Sequence, residues 1–159
     1  MRALLLTILI LFPIFLPARV LTGRVVKIAD GDTFTLLVNG HEQVKVRLDG
    51  IDAPEKGQPF GKRAKEYLSS MIWGVPVTVD VKTTDRYGRS IGKVSTKKIK
   101  DVCLEMIKAG LAWQYRDYNK DKSYSAAENL ARKNKIGLWQ DNNPIRPQDF
   151  RKMKRKRKS

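Results

Sequence analysis

The 159-residue chain sets 32 Lys and Arg against 16 Asp and Glu, for a formal net charge of +16, and carries one His and one Cys. Its length fits one domain, and 42% hydrophobic residues suffice for a packed core. A lone Cys103 excludes an intramolecular disulfide, and Cys103 with His41 is too small a set for a zinc cage; a nucleophilic triad would have to use His41, beside an Asn39-Gly40 turn signal, while the charge excess points to a polyanionic partner, nucleic acid or an anionic membrane.

The chain opens on Met1-Arg2, a 14-residue uncharged run from Ala3 to Leu16, then Pro17 and Ala18. This is the pattern of a secretory signal over residues 1–18. The run falls short of the roughly 20 residues that span a bilayer, and Pro13 weakens a membrane helix. Cleavage after Ala18 is expected, with retention as an anchor the alternative. The protein is therefore expected to be exported, secreted or periplasmic, touching membrane only through this segment.

Residues 20–28 read as a strand, followed by the polar turn Asp30-Gly31-Asp32. Residues 33–38 and 42–48 read as two more strands around Asn39-Gly40. A two-residue turn there would set Phe34 against Lys45. Pairing that sums to 80 sets Phe34 by Val46 and Leu36 by Val44, so the spacing predicts a three-residue loop or a bulge. In that register Asp32 lies near Leu48 and Arg47 points to the other face, so alternation alone does not bring Arg47 beside Asp32.

After Asp52-Ala53-Pro54-Glu55, residues 61–73 place Ala64, Tyr67, Leu68, Met71 and Ile72 at helical spacing. Residues 75–81 alternate as a half-buried strand, and a second hairpin turns through 83–88 into a strand over 90–95. Asp101 is a candidate cap for a helix through Ala109, stopped by Gly110. Ser123 or Ser125 is a candidate cap for another through Asn134, with Ala126, Leu130 and Ala131 inward. Five short strands with interleaved helices give a β-rich α+β fold, a five-stranded OB-type barrel with about three α-helices; patterning alone also allows an unspecified α+β domain. Residues 151–159 hold seven cations and no anion, a basic disordered tail that either aids solubility or binds phosphates.

Three acids fall at strand ends: Asp32, Asp52 and Glu55. Clustered carboxylates and carbonyls suit hard cations such as Ca²⁺, although Asp-Gly turns and helix-start prolines produce the same residues for purely structural reasons. Arg47 and Arg89 are suited to gripping phosphate oxygens with two parallel donors, or else decorate solvated strand and hairpin surfaces. Tyr87, Tyr115 and Tyr118 offer stacking faces for unpaired bases. Trp113 and Trp139 are expected in the core.

Taken in order, Asp30-Gly31-Asp32-Thr33, Val46-Arg47-Leu48, Ile51-Asp52-Ala53-Pro54-Glu55, Asp85-Arg86-Tyr87-Gly88-Arg89, Gly110-Leu111-Ala112 and Gly137-Leu138-Trp139 resemble the staphylococcal nuclease family from Val20 to Trp139. The resemblance implies an OB-fold, Ca²⁺-dependent endonuclease acting on DNA and RNA with low sequence specificity and leaving 3′-phosphate ends. By position, Asp32 and Asp52 would hold Ca²⁺ by carboxylate and Ala53 by its carbonyl, with Asp30 behind them. Glu55 would be the general base, and Arg47 and Arg89 would clamp the scissile phosphate. Arg86, Tyr87 and Tyr115 would bind substrate, Tyr118 competing with Tyr115 for the pocket. Two family features are altered: the polar residue at the carbonyl-ligand position is Ala53, and Arg86 stands where a Lys is familiar. The implied organisation is a nuclease domain over 19–140, an extension over 141–150 and the tail, in a monomer that prefers single-stranded or unpaired nucleic acid. Two other readings stay open: a catalytically silent nucleic-acid-binding OB module, and a basic membrane-surface protein.

Overall fold

The computed structural model describes residues 19–157; the expected signal segment lies outside them. Five strands, β1 (Arg19–Ile28), β2 (Thr33–Val38), β3 (Glu42–Leu48), β5 (Pro76–Thr84) and β6 (Ser90–Thr96), close into a barrel in the order β1-β2-β3-β6-β5. Every pair is antiparallel except β3 with β6, which run parallel. A closed barrel leaves none of these strands with an open edge, and the five-stranded OB-type reading holds.

The first hairpin takes the register that the hydrophobic pattern requires. Phe34 faces Val46 and Leu36 faces Val44, and Val38 pairs with Glu42 across a three-residue loop. Asn39 and Gly40 both take positive φ there, 51° and 78°, and so supply a left-handed turn. Burying Phe34, Leu36 and Val46 on one face outweighs the two-residue preference of Asn-Gly. In β5 only part of the expected alternation is inward: Val77 and Val79 are fully buried, whereas Val75 precedes the strand and is exposed. Barrel residues and helix α1 (Gly61–Ile72), through Ala64, Leu68 and Ile72, share one core with α2 (Val102–Lys108). Asp101 caps α2 as expected, accepting from the Leu104 N–H at 2.9 Å.

Four α-helices are present among the described residues, against the three expected. In α3 (Lys122–Lys133) the cap is Asp121, not Ser123 or Ser125: its carboxylate accepts the Ser123 N–H and hydroxyl, each at 2.8 Å. The inward face is also different. Ala126 and Leu130 are exposed, and Tyr124, Glu128 and Ala131 are buried. Burial of Glu128 rests on its partners rather than on hydrophobicity, since it accepts from the Gln114 N–H at 2.6 Å and pairs with Arg132 at 2.8 Å. A second small core joins Trp113, Ala131, Leu138 and Trp139, the two indoles meeting edge to face at 5.4 Å.

The fourth helix, α4 (Pro147–Lys156), corrects the expectation of a disordered tail beginning at 151: the helix runs straight across that boundary. Pro147 at its start and Asp149 in its first turn favour the N-terminus, and Lys154, Arg155 and Lys156 complement the dipole at its end. Two very short strands, β4 (Ile51–Asp52) and β7 (Trp113–Gln114), pair antiparallel outside the barrel. They lay the segment after β3 against the segment after α2.

Candidate active site

The turn between β1 and β2 is held in place by size as much as by hydrogen bonds. A Cβ on Gly31 would lie 2.6 Å from the Ala64 methyl and 2.8 Å from that of Ala53, so only glycine lets the turn sit on α1 and the 52–55 loop. Asp30 accepts the Asp32 N–H at 3.1 Å, closing an Asx turn. Asp32 then points its carboxylate across to the next loop. Its Oδ1 accepts from the Thr33 hydroxyl at 2.9 Å and its Oδ2 from the Ala53 N–H at 2.9 Å.

Arg47 completes this arrangement. One end of its guanidinium meets Asp32 Oδ2 at 2.7 Å, and Nη2 donates to Asp52 Oδ1 at 3.1 Å and to the Ile51 carbonyl at 3.2 Å. Strand alternation does send Arg47 out of the barrel, where the β4–β7 pair roofs it and leaves the side chain 14% exposed. Asp32 escapes alternation because it ends the turn; β2 begins at Thr33.

Burial alone would raise Asp32, but the Arg47 charge, the Ala53 N–H and the Thr33 hydroxyl hold its carboxyl below the ordinary range. Asp52 is raised, by burial first and then by Asp32, against the opposing pull of Arg151 and Arg47. Asp30 is pushed up to about 6 by burial and by the Asp32 charge. The cluster thus carries more negative charge than Arg47 neutralises.

Asp30, Asp32, Arg47, Glu55, Arg86, Tyr87, Arg89 and Tyr115 line one open cavity of about 930 Å³. Asp52 joins them through Arg47, and Ala53, almost fully buried, lies behind Asp32. Arg89 is oriented by Asp85, whose Oδ2 accepts from its Nε at 2.8 Å while Oδ1 accepts the backbone N–H groups of Tyr87 and Arg89. Those bonds hold the Asp85 carboxyl below its ordinary value against burial. Arg86 donates to the Tyr87 hydroxyl at 2.9 Å and stacks on its ring, so this pair stands at the exposed rim. Tyr115 is anchored by its N–H on the Gly50 carbonyl at 2.9 Å. Tyr118 packs edge to face against it at 4.7 Å, and both line the cavity.

Sequence reasoning missed three contributors. Lys82 lines the same cavity, bonded to Asp49 and to the Tyr118 carbonyl. Gln58 accepts the Glu55 N–H at 3.0 Å and so fixes the loop that carries Glu55. Arg151, from α4, bonds Glu55 Oε1 and reaches Asp52 Oδ2 at 3.4 Å. Nothing distinguishes Arg151 within a run of seven cations; Pro147 and Asp149 were the available signs of a helix start.

A family model for staphylococcal nuclease homologues matches residues 45–141. A Haemophilus influenzae protein named "Uncharacterized endonuclease" is 46% identical over 134 residues, which is 84% of this chain and 75% of that one. A Shigella flexneri protein named "Micrococcal nuclease" is 39% identical over 140 residues, 82% of this chain and 80% of that one. The Arabidopsis thaliana "Staphylococcal-like nuclease CAN1" is 41% identical over 116 residues, 72% of this chain and 35% of that one. With the barrel, the motif order and these matches in agreement, the chain belongs to the staphylococcal nuclease family.

Proposed function

We propose that the protein is an exported, Ca²⁺-dependent endonuclease that hydrolyses phosphodiester bonds of DNA and RNA with low sequence specificity, leaving 3′-phosphate ends. The observation that carries this reading is the convergence of Asp32, Glu55, Arg47 and Arg89 on one open cavity. Names borne by the relatives, endonuclease and micrococcal nuclease, support it.

The donor chemistry fits a hard cation. Asp32 and Asp52 would hold it by carboxylate and Ala53 by its carbonyl, with water filling other positions. Among the described residues, no group of three or more His, Cys, Asp or Glu side chains is placed to hold a metal ion. Burial first and the Asp32 charge second raise the carboxyls of Asp30 and Asp52, and a bound cation would offset both effects. Bound there, the ion would supply Lewis-acid polarisation of a phosphate oxygen.

The protein's own groups cover the remaining needs of an in-line attack. Glu55 takes a proton from the water as its oxygen bonds to phosphorus. Arg47 and Arg89 neutralise charge on the equatorial oxygens, and Arg89 donates to the 5′-oxygen as the phosphorus–oxygen bond breaks. Asp85 keeps Arg89 aimed for this. Tyr87, Tyr115 and Tyr118 favour unpaired bases, because stacking needs an open base face. No histidine is needed, which suits a chain whose His41 lies in the β2–β3 loop, bonded to the Asn39 carbonyl. Export is supported by the charge and hydropathy pattern of residues 1–18, and a mass spectrum of the secreted product tests it. A monomer suffices for this chemistry, since one chain provides every group named.

The decisive assay is cleavage of heat-denatured DNA with Ca²⁺ or with chelator. Cleavage is expected only with Ca²⁺. Glu55→Gln is expected to lower the rate by roughly two to four orders of magnitude, the range for a general base, with DNA binding kept. Metal-independent binding without cleavage by the unaltered protein would overturn the enzyme in favour of a silent binding module.

A further inference from the structure

Helix α4 delivers a cation to the two carboxylates on which the proposed chemistry depends. Arg151 bonds Glu55 Oε1 and lies 3.4 Å from Asp52 Oδ2, while Arg47 holds the other oxygen of Asp52. Asp52 is only 10% exposed, so each of its oxygens is committed to a guanidinium. The approach of α4 is also fixed. Gln58 brackets Glu55, accepting its N–H and donating its own N–H to the Glu55 carbonyl at 2.9 Å, and the Gln58 side-chain amide donates to the Ile145 carbonyl at 2.6 Å. The loop bearing Glu55 is therefore clasped to the residues that lead into α4, and Pro147 is buried at the helix start.

The two arginines differ in how readily they yield. Arg47 is 14% exposed with three acceptors, whereas Arg151 is 42% exposed on a helix whose other side chains are mostly at the surface. A long side chain half in water can swing out and be rehydrated at little cost. A divalent ion entering beside Asp52 and Glu55 repels a guanidinium a few ångströms away and takes over one of its acceptors.

We propose that Arg151 is a built-in counter-cation that competes with the divalent metal for Asp52 while its other prong pairs with Glu55, and so sets how much metal the protein needs. This rests on the reading of Asp52 as a metal ligand and Glu55 as the base. When metal is scarce, Arg151 keeps both carboxylates paired; when it is plentiful, the ion displaces the guanidinium and frees Glu55 to accept a proton.

The test is calorimetric titration of Ca²⁺ into the full chain without nucleic acid, comparing the unaltered protein with Arg151→Gln, Arg151→Lys and Lys152→Gln. Arg151→Gln is expected to bind Ca²⁺ about five-fold tighter, the worth of a partly exposed ion pair. The Ca²⁺ concentration for half-maximal cleavage should fall in parallel. Arg151→Lys keeps the charge but loses the two-pronged grip, and should move in the same direction by a smaller factor. Lys152→Gln removes an equal charge one residue away, where it pairs with Asp149, and should leave the affinity within two-fold. In chelator, Arg151→Gln should melt at a lower temperature than the unaltered protein, and Ca²⁺ should erase the difference. Unchanged or weaker Ca²⁺ binding in both Arg151 variants, or equal tightening in Lys152→Gln, overturns the proposal while leaving a Ca²⁺-binding nuclease intact. An unaltered protein that takes up no Ca²⁺ and cleaves in chelator overturns the metal reading as well, and is recognised without any variant.

Discussion

Burial and the charge of Asp32 push the Asp30 carboxyl up to about 6 from its ordinary 3.8, and the consequence for stability has a definite sign. Below about pH 4 the group is protonated folded and unfolded alike and contributes no penalty. Above about pH 6 it is ionised in both states, and only the folded one bears the burial and the repulsion. Its contribution therefore turns unfavourable to folding as the pH rises between those limits. Asp30→Asn keeps an oxygen for the Asp32 N–H and removes the charge. In chelator, so that no divalent ion offsets the repulsion, this variant should be more stable than the parent by about 1–2 kcal/mol at pH 8. Urea titrations across pH should show the gain shrinking toward zero near pH 4, and a gain constant with pH would contradict the assignment. The acids of this turn were legible as residue types in the sequence. Their meeting with Arg47 was not, because Asp32 lies at the end of a turn, outside the alternation that locates strand residues.

Among the elements, those recognised in advance are the ones whose pattern is apolar. The β2–β3 register follows from Phe34, Leu36, Val44 and Val46 alone. The inner face of α3 was misread because its central buried residue is an acid, Glu128, at 1% exposure. Hydrophobic periodicity does not register a residue whose burial depends on partners supplied by Gln114, Arg132 and Arg116. That residue also ties α3 to β7, which pairs with β4 at Asp52 and precedes Tyr115. Glu128→Ala would leave the Gln114 N–H without its acceptor and two arginines without their anion. A loss of about 3 kcal/mol is expected, within the range for breaking a buried pair on one side. It should appear in chemical denaturation, accompanied by weaker nucleotide binding as Tyr115 loosens. Loss of stability with unchanged nucleotide affinity would mean that β7 holds its place without α3.

For the whole molecule, the excess of positive charge becomes a question of where cations stand relative to the cavity. Lys82, Arg86, Arg89 and Arg151 line it, and α4 extends the basic surface beyond it with Lys152 and Lys154. A polynucleotide seated in the cavity is longer than the cavity, so its flanking phosphates run over whatever surface adjoins the mouth. Because α4 is an ordered helix pinned by Arg151 and, just before its start, by the Ile145 carbonyl, its cations keep fixed positions beside Arg151 instead of being spread over the volume a free tail would sweep. Each phosphate neutralised on a single strand contributes about 0.7 to the slope of log affinity against log salt. Lys152→Gln with Lys154→Gln should therefore flatten the slope for denatured DNA by about 1.4 if both cations meet phosphates. Weakened binding should be greatest at low salt, and the maximal cleavage rate should be unchanged, since neither residue reaches Asp32, Glu55, Arg47 or Arg89. Fluorescence anisotropy across a salt series, with Glu55→Gln as the background because the proposed mechanism expects it to cleave far more slowly, measures the slope with little interference from cleavage. A slope equal to that of the background would mean that the bound strand does not run over α4.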